Sequence, residues 1–172
     1  MKYLAWVALT YLLLALLSPL LGRLDAQLYA PDVALISALY LGSRLETGPA
    51  VLMAFVVGLL KDGFSLSAPV GVYTEIAVLV ALIGRFLQAR VDLVSPLPVM
   101  ASSAAISLLA SGLFLAFESV FHRAFDAYGE VLTTALPLAL TTMLVSPLQF
   151  WLMERIRRRL DSHAHGNLLL RR

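Results

Sequence analysis

The sequence consists of long apolar runs separated by short polar stretches. The first run, residues 3–21, contains no charged residue, and a helix that crosses a bilayer needs about 20 such residues. Apolar residues make up 60% of the 172 residues and charged residues 14%, whereas soluble domains have about 45–50% and about 25%. A small soluble domain cannot bury so much apolar surface. The composition therefore predicts a membrane protein and excludes an ordinary soluble domain, a disordered chain and a nucleic-acid-binding protein.

The runs predict an all-α polytopic membrane protein with six transmembrane helices. They are continuous, whereas strands of a membrane β-barrel alternate apolar and polar residues over about ten positions. The expected domain organisation is one transmembrane domain, residues 1–160, followed by a short cytoplasmic tail, residues 161–172. The expected spans are 3–21, 31–42, 48–60, 69–87, 94–117 and 131–153.

The basic residues are distributed unevenly between the two sides that these spans define. One side holds ten of the 13 Lys and Arg residues and the other side holds three. Because cytoplasmic loops carry the excess of Lys and Arg, we expect both termini in the cytoplasm. The ten residues of the expected cytoplasmic side are Lys2, Arg44, Arg85, Arg90, Arg155, Arg157, Arg158, Arg159, Arg171 and Arg172.

Four of these arginines form a cluster directly after the last span. Basic residues next to a membrane helix attract anionic lipid headgroups. We therefore expect the cluster to contact anionic lipid or a cytoplasmic partner. The alternative is a stop-transfer anchor that only determines topology. The cluster consists of Arg155, Arg157, Arg158 and Arg159.

Small residues recur at helical spacing in several spans. Ala50, Ala54 and Gly58 repeat every fourth residue of the third span, and Ser103 and Ser107 lie on one stripe of the fifth. Small residues at this spacing allow membrane helices to approach closely. We expect the faces of the third and fifth spans to pack against each other. The fourth span has a small-residue face of its own, with Ala77, Ala81 and Gly84.

Two acidic residues stand out as functional candidates. Glu75 lies inside the fourth apolar run, where a charge costs about 2.5–3.5 kcal/mol on insertion scales and is usually functional. We expect it to make a structural or partner-facing polar contact, with transport or proton relay and a solvated position as alternatives. Asp62 follows the third run beside Gly63, and we expect its carboxylate to bind backbone N–H groups in the loop, as part of a re-entrant cap or a tight turn.

The sequence does not predict an enzyme. Catalysis would need a nucleophile with a base, or paired carboxylates, at one depth of the membrane, and the spans contain no such combination. His163 and His165 lie in the polar tail, and the chain has no cysteine to complete a metal site with them. We therefore expect no cofactor and no metal.

The segment between the third and fourth spans resembles the signature of the bacterial rod shape-determining MreD family. That signature has a glycine, a short apolar stretch, an aspartate, a serine three residues later and a glycine before the next span. Residues 31–32 open a short second span and residues 150–153 precede a basic tail, as in that family. Two features depart from the pattern: the interval from Asp62 to Gly71 is one residue longer, with Ala68 as the insertion, and Lys61 stands where the family usually has an apolar residue. The matching residues are Gly58, Asp62, Ser65, Pro69 and Gly71.

The resemblance implies a non-catalytic, multi-pass scaffold subunit in the bacterial cytoplasmic (inner) membrane. Such a subunit belongs to the cell-elongation complex and helps to position or activate peptidoglycan synthases for cell-shape maintenance. The implied partners are MreC and, through it, MreB, RodA and a penicillin-binding transpeptidase, with no small-molecule substrate. The motif residues and Glu75 are then candidates for partner contacts.

The MreD family is similar in fold to the substrate-binding subunits of energy-coupling-factor vitamin transporters, and this similarity supplies the alternative function. Those subunits usually carry an A-x-x-x-A motif on the first span. Here Leu9 follows Ala5 at that spacing, so the motif is missing. A substrate pocket near the outer leaflet would have to use Asp62, Thr74 and Glu75.

Overall fold

The computed structural model describes residues 2–23, 29–65, 71–93, 95–121 and 128–169. These residues form six α-helices joined by short connections, so the all-α prediction is confirmed for the described part of the chain. Helix α6 runs through Pro137 and Pro147 and continues into the predicted tail. The helices are α1 (Lys2–Arg23), α2 (Val33–Arg44), α3 (Thr47–Phe64), α4 (Val72–Gln88), α5 (Pro96–Phe121) and α6 (Tyr128–Leu169).

Three helices are long and apolar enough to cross a membrane. These segments are Thr47–Phe64 in α3, Pro96–Val120 in α5 and Val131–Leu160 in α6. Tyr3–Leu17 and Val33–Arg44 form shorter apolar helices. The described residues therefore have the character of a membrane protein, while six spans and cytoplasmic termini stay predictions.

Helix α2 lies at the centre of the structure. It contacts all five other helices, which surround it in a closed ring in the order α1, α3, α4, α5 and α6. Every residue from Val33 to Ser43 is buried, as expected for a helix that is apolar on all sides. Its 12 residues extend about 18 Å, less than the hydrocarbon core of about 30 Å. The predicted second span is therefore a short helix enclosed by the ring.

Helices α2 and α4 cross in close contact because each has a glycine at the crossing. A Cβ atom added to Gly42 would collide with the carbonyl oxygen of Ala81. A Cβ atom added to Gly84 would lie 2.9 Å from the carbonyl oxygen of Leu39. Ala81 and Gly84 belong to the predicted small-residue face of the fourth span, and this face packs on the central helix.

The small-residue face of α3 packs on α4, so the prediction that the third and fifth spans pack together is wrong. A Cβ atom added to Gly58 would collide with Cα of Thr74 and lie 3.1 Å from Cβ of Ala77. Among the described residues, α3 contacts α1, α2 and α4 but not α5. Helix α5 instead packs on α6, where Ser103 Oγ donates to Ser146 Oγ at 2.7 Å. The interface of α3 with α4 depends on close approach of the two backbones. The interface of α5 with α6 contains a hydrogen bond between two hydroxyls.

Candidate functional site

Asp62, in the last turn of α3, caps the following helix α4. Its side chain is buried, with 6% exposed. Oδ1 accepts from the backbone N–H of Tyr73 at 3.1 Å, and Oδ2 accepts from the N–H of Thr74 at 3.2 Å and from the Thr74 hydroxyl. The first N–H groups of a helix lack partners within the helix, and its N-terminus favours a negative charge. The expected binding of backbone N–H groups occurs, and these groups belong to the first turn of α4.

Gly71 sets the backbone geometry that this cap requires. It is the residue before α4 and has a φ of 110°, a region that residues with a Cβ atom rarely adopt. A Cβ atom there would meet no neighbouring atom within 4 Å. The requirement for glycine therefore comes from the backbone conformation, which turns the N–H groups of Tyr73 and Thr74 towards Asp62.

Lys61 makes the corresponding contact with the start of α2. Its ammonium group forms an ion pair with the carboxylate of Asp32 and lies 4.2 Å from the ring centroid of Tyr73. Asp32 Oδ1 also accepts from the N–H of Leu35 at 3.0 Å and so caps α2. The side chains of Lys61 and Asp32 are 24% and 10% exposed. Lys61, which departs from the MreD pattern, thus pairs with the aspartate that opens the second predicted span.

Helix α6 joins the same group of residues. The backbone N–H of Asp32 donates to Oγ1 of Thr142 at 3.0 Å, and Thr142 is fully buried. These contacts hold the starts of α2 and α4 and the end of α3 against α6. We call this group the polar cluster; it comprises Asp32, Lys61, Asp62, Tyr73, Thr74 and Thr142.

The remaining motif residues lie around the hairpin of α3 and α4. Gly58 lies at the crossing of these helices, and Ser65 ends α3, its N–H donating to the carbonyl of Lys61 at 3.0 Å. Pro69 lies outside the described residues. Within the described ranges, no three His, Cys, Asp or Glu residues come together in a way that could hold a metal ion. The contacts of the polar cluster are two helix caps and an ion pair.

Glu75 is separate from the polar cluster. It is exposed, whereas its neighbours Thr74 and Ile76 are buried. Among the described residues, its carboxylate has neither an ion pair nor a side-chain hydrogen bond. Glu75 therefore lies on the surface of the helix ring, next to the hairpin but directed away from its interior.

The opposite end of α2 is bound to α6 through a contact that the sequence did not predict. The Tyr40 hydroxyl donates to Glu154 Oε2 at 3.0 Å. Glu154 also forms ion pairs with Arg157 at 2.6 Å and Arg158 at 3.3 Å. The available signal was a single acidic residue at the start of the arginine cluster. Helix α2 is thus bound to α6 at both of its ends.

The four arginines of the cluster differ in the exposure and contacts of their side chains. The side chain of Arg158 is 78% exposed and that of Arg157 is 36% exposed. Arg155 lies over the ring of Trp151, 5.0 Å from its centroid, and Arg155 and Arg159 are exposed. Arg155, Arg158 and Arg159 therefore remain accessible to lipid or a partner, while Arg157 stabilises the link between α2 and α6.

A second unpredicted group of polar residues lies in the middle of the structure. Gln149 Nε2 donates to the carbonyl of Val33 at 2.9 Å and to Ser37 Oγ at 2.8 Å. The hydroxyls of Ser37 and Thr10 are 2.8 Å apart. All three polar side chains are buried, so they connect α1, α2 and α6 inside the ring.

Comparisons with known proteins do not identify a family. A scan against protein-family models, a search of curated proteins and a search of solved structures each found no match. The function has to be inferred from the residues and contacts described above.

Proposed function

We propose that this chain is a non-catalytic scaffold subunit of the bacterial cell-elongation complex, of the MreD type. In this proposal it spans the bacterial inner membrane six times, with both termini in the cytoplasm. It binds an MreC-like protein and so helps to position or activate peptidoglycan synthases. The MreB filament system, RodA and a penicillin-binding transpeptidase belong to the same assembly.

The observation that carries the proposal is the role of the MreD-like motif in building the hairpin of α3 and α4. Gly58 permits the close crossing, Asp62 caps α4 and Gly71 adopts the left-handed conformation that the cap requires. Gly58, Asp62 and Gly71 each have a distinct physical reason in this hairpin. The charged groups of Lys61 and Asp62 bind other residues of this chain. This is expected of a rigid structural element.

The distribution of charge supports the proposed orientation. Arg44 donates to the carbonyl of Leu93 at 3.1 Å, and Arg85 donates to the carbonyl of Leu45 at 3.4 Å. These two arginines bind the connections that follow α4 and α2. They lie at the same end of the structure as the arginine cluster, whereas the polar cluster lies at the other end. Because basic residues accumulate on the cytoplasmic side, the polar cluster would face outward.

The outward surface of α1 weighs against the transporter alternative. Coupling to an energising module would use a repeat of small residues on the first span, whereas the exposed face of α1 carries large side chains around a single exposed alanine, Ala8. The exposed large residues of this face are Leu4, Tyr11, Leu12 and Leu16.

The test is a pull-down of the tagged full-length chain from its own cells in mild detergent, with identification of the bound proteins. We expect an MreC-like single-span protein together with cell-wall synthases, and a loss of rod shape when the chain is depleted. A matched control is the same tag on an unrelated polytopic membrane protein at equal expression. Recovery of paired ATPases with a membrane coupling subunit would instead show a transporter, and recovery of neither group would refute the scaffold proposal.

A further inference from the structure

Helix α6 has an outward face that changes from leucine to tryptophan to arginine along its length. Residues three or four positions apart are neighbours on one side of an α-helix, and the members of this face follow that spacing and are all exposed. Its leucine and tryptophan side chains are more than half exposed. We call it the α6 face; it comprises Leu144, Leu148, Trp151, Arg155, Arg158 and Arg159.

The order of residue types along this face follows the layers of a bilayer. A hydrocarbon core of about 30 Å corresponds to about 20 helical residues. Counted from Val131, where the apolar segment of α6 begins, these residues end near Trp151, and tryptophan is enriched at the membrane–water interface. Arg155 comes four residues later, about 6 Å further along the helix. In a bilayer the arginines would therefore lie at the level of the phospholipid headgroups.

The contacts of these arginines leave positive charge on the outward face. Arg155 lies over the ring of Trp151, 5.0 Å from its centroid, and this cation–π contact holds it along the face. Arg158 is largely exposed although it pairs with Glu154. Arg155 and Arg159 are four residues apart and are therefore neighbours on the helix surface. Guanidinium groups bind phosphate through two N–H groups at once, so the pair can hold one phosphate between them.

We propose that the α6 face binds an anionic phospholipid, with the lipid phosphate between Arg155 and Arg159. The acyl chains lie along Leu144 and Leu148. A phospholipid carries a phosphate and hydrocarbon in the same order as this face, whereas a cytoplasmic protein would contact the arginines without the leucines. A stop-transfer anchor needs the charges alone and gives no reason for Trp151 to hold Arg155. The inference does not depend on the proposed function, because it concerns the lipid in contact with α6.

Helix α4 supplies a matched control at the same end of the structure. Arg90 lies over the ring of Phe86, 4.7 Å from its centroid, and so repeats the pairing of Arg155 with Trp151. Both residues are exposed. Among the described residues, α4 and α6 make no contact. Arg90→Gln therefore removes a positive charge with the same aromatic contact and leaves the α6 face intact.

Trp151 can report on the bound lipid directly. The chain has two tryptophans, and the other one, Trp6, is buried. The purified full chain is reconstituted in phosphatidylcholine vesicles, in which either phosphatidylcholine or added phosphatidylglycerol carries brominated acyl chains that quench nearby tryptophan. Trp151→Phe gives the signal of Trp6 to be subtracted. The ratio of the two quenching curves measures the preference of the α6 face for the anionic lipid.

Removal of the charges should remove this preference. We expect the wild-type chain to prefer phosphatidylglycerol by about three- to tenfold, since one basic residue near an anionic surface contributes about fivefold. Arg155→Gln combined with Arg159→Gln should lower the preference to about one. Replacing both by lysine should retain most of it, because the charge is kept. Arg90→Gln should leave it unchanged, and the emission of Trp6 should show that each variant is folded.

Three results would overturn the inference. Equal quenching by the two lipids in the wild-type chain would leave the cluster as a topology anchor or a protein contact. An equal loss of preference in Arg90→Gln would show a property of the whole charged side instead of a site. Unchanged preference in the glutamine double variant would refute the assigned residues. If that variant is not recovered folded, Arg155→Gln and Arg159→Gln are measured singly, and the absence of an effect in both would refute them equally. The pull-down tests the scaffold proposal separately.

Discussion

The close crossing of α3 and α4 predicts opposite effects for two glycine-to-alanine substitutions in the same helix. A Cβ atom at Gly58 would collide with the backbone of Thr74, whereas a Cβ atom at Gly63 would meet nothing within 4 Å. Backbone cannot rotate away, so the helices would have to separate. Gly58→Ala should therefore lower the stability, while Gly63→Ala should raise it slightly.

The expected magnitudes follow from two opposing terms. Overpacking of a close contact costs about 2–3 kcal/mol, and alanine gains about 1 kcal/mol over glycine in a helix. Gly58→Ala should thus reduce the free energy of unfolding by about 1–2 kcal/mol. Gly63 is next to the last residue of α3, where the gain is smaller, about 0.5 kcal/mol.

The assay is reversible unfolding of the purified chain in mixed micelles, followed by tryptophan fluorescence. Trp6 is buried, so its fluorescence emission should change when the ring of helices around α2 comes apart. Gly58→Leu extends the test, because a larger side chain should prevent recovery of folded protein. If Gly58→Ala is as stable as Gly63→Ala, the close crossing is wrong. If Gly58→Leu folds normally but no longer captures the partner, Gly58 is a contact residue instead.

The polar cluster leads to three further predictions, each measured by the same unfolding assay. Asp62→Ala leaves two N–H groups and a hydroxyl of α4 without their acceptor and should cost about 2–4 kcal/mol, with Asp62→Asn intermediate; equal stability of wild type and Asp62→Ala would contradict the cap. Lys61→Met should cost about 1–3 kcal/mol, and adding Asp32→Asn should recover part of it; additive losses would contradict the ion pair. Gly71→Ala should cost about 1–2 kcal/mol through backbone strain alone, and an unchanged stability would contradict the left-handed conformation.

The small-residue stripes predicted close helix packing but not which helices meet. Spacing identifies a face of one helix, and every close approach in a membrane uses the same residue types. The stripe with Gly58 could therefore not be assigned to α4 rather than α5 from the sequence alone. Which helix packs on this stripe depends on the opposing face of α4, where Gly58 lies against Thr74 and Ala77.

The candidate site could be predicted in its residues and only partly in its geometry. The type and position of Asp62 predict that its carboxylate binds backbone N–H groups of the loop, whereas the bound N–H groups belong to the first turn of α4. Its partners in α4 and the pairing of Lys61 with Asp32 connect residues 12 and 29 positions apart. The contact of Tyr40 with Glu154 spans 114 positions. Contacts of such sequence separation depend on tertiary structure, which no local pattern determines.

The central position of α2 explains why so many polar residues lie inside an otherwise apolar structure. Lipid is as apolar as leucine, so burial of apolar surface alone does not determine which helices associate or in what register. Hydrogen bonds inside the ring can make that choice, because an unpaired polar group there is costly. Thr142, Gln149 and Glu154 of α6 bind the start, the middle and the end of α2. A one-residue shift of α2 would break all three contacts, so α6 specifies the register of the central helix.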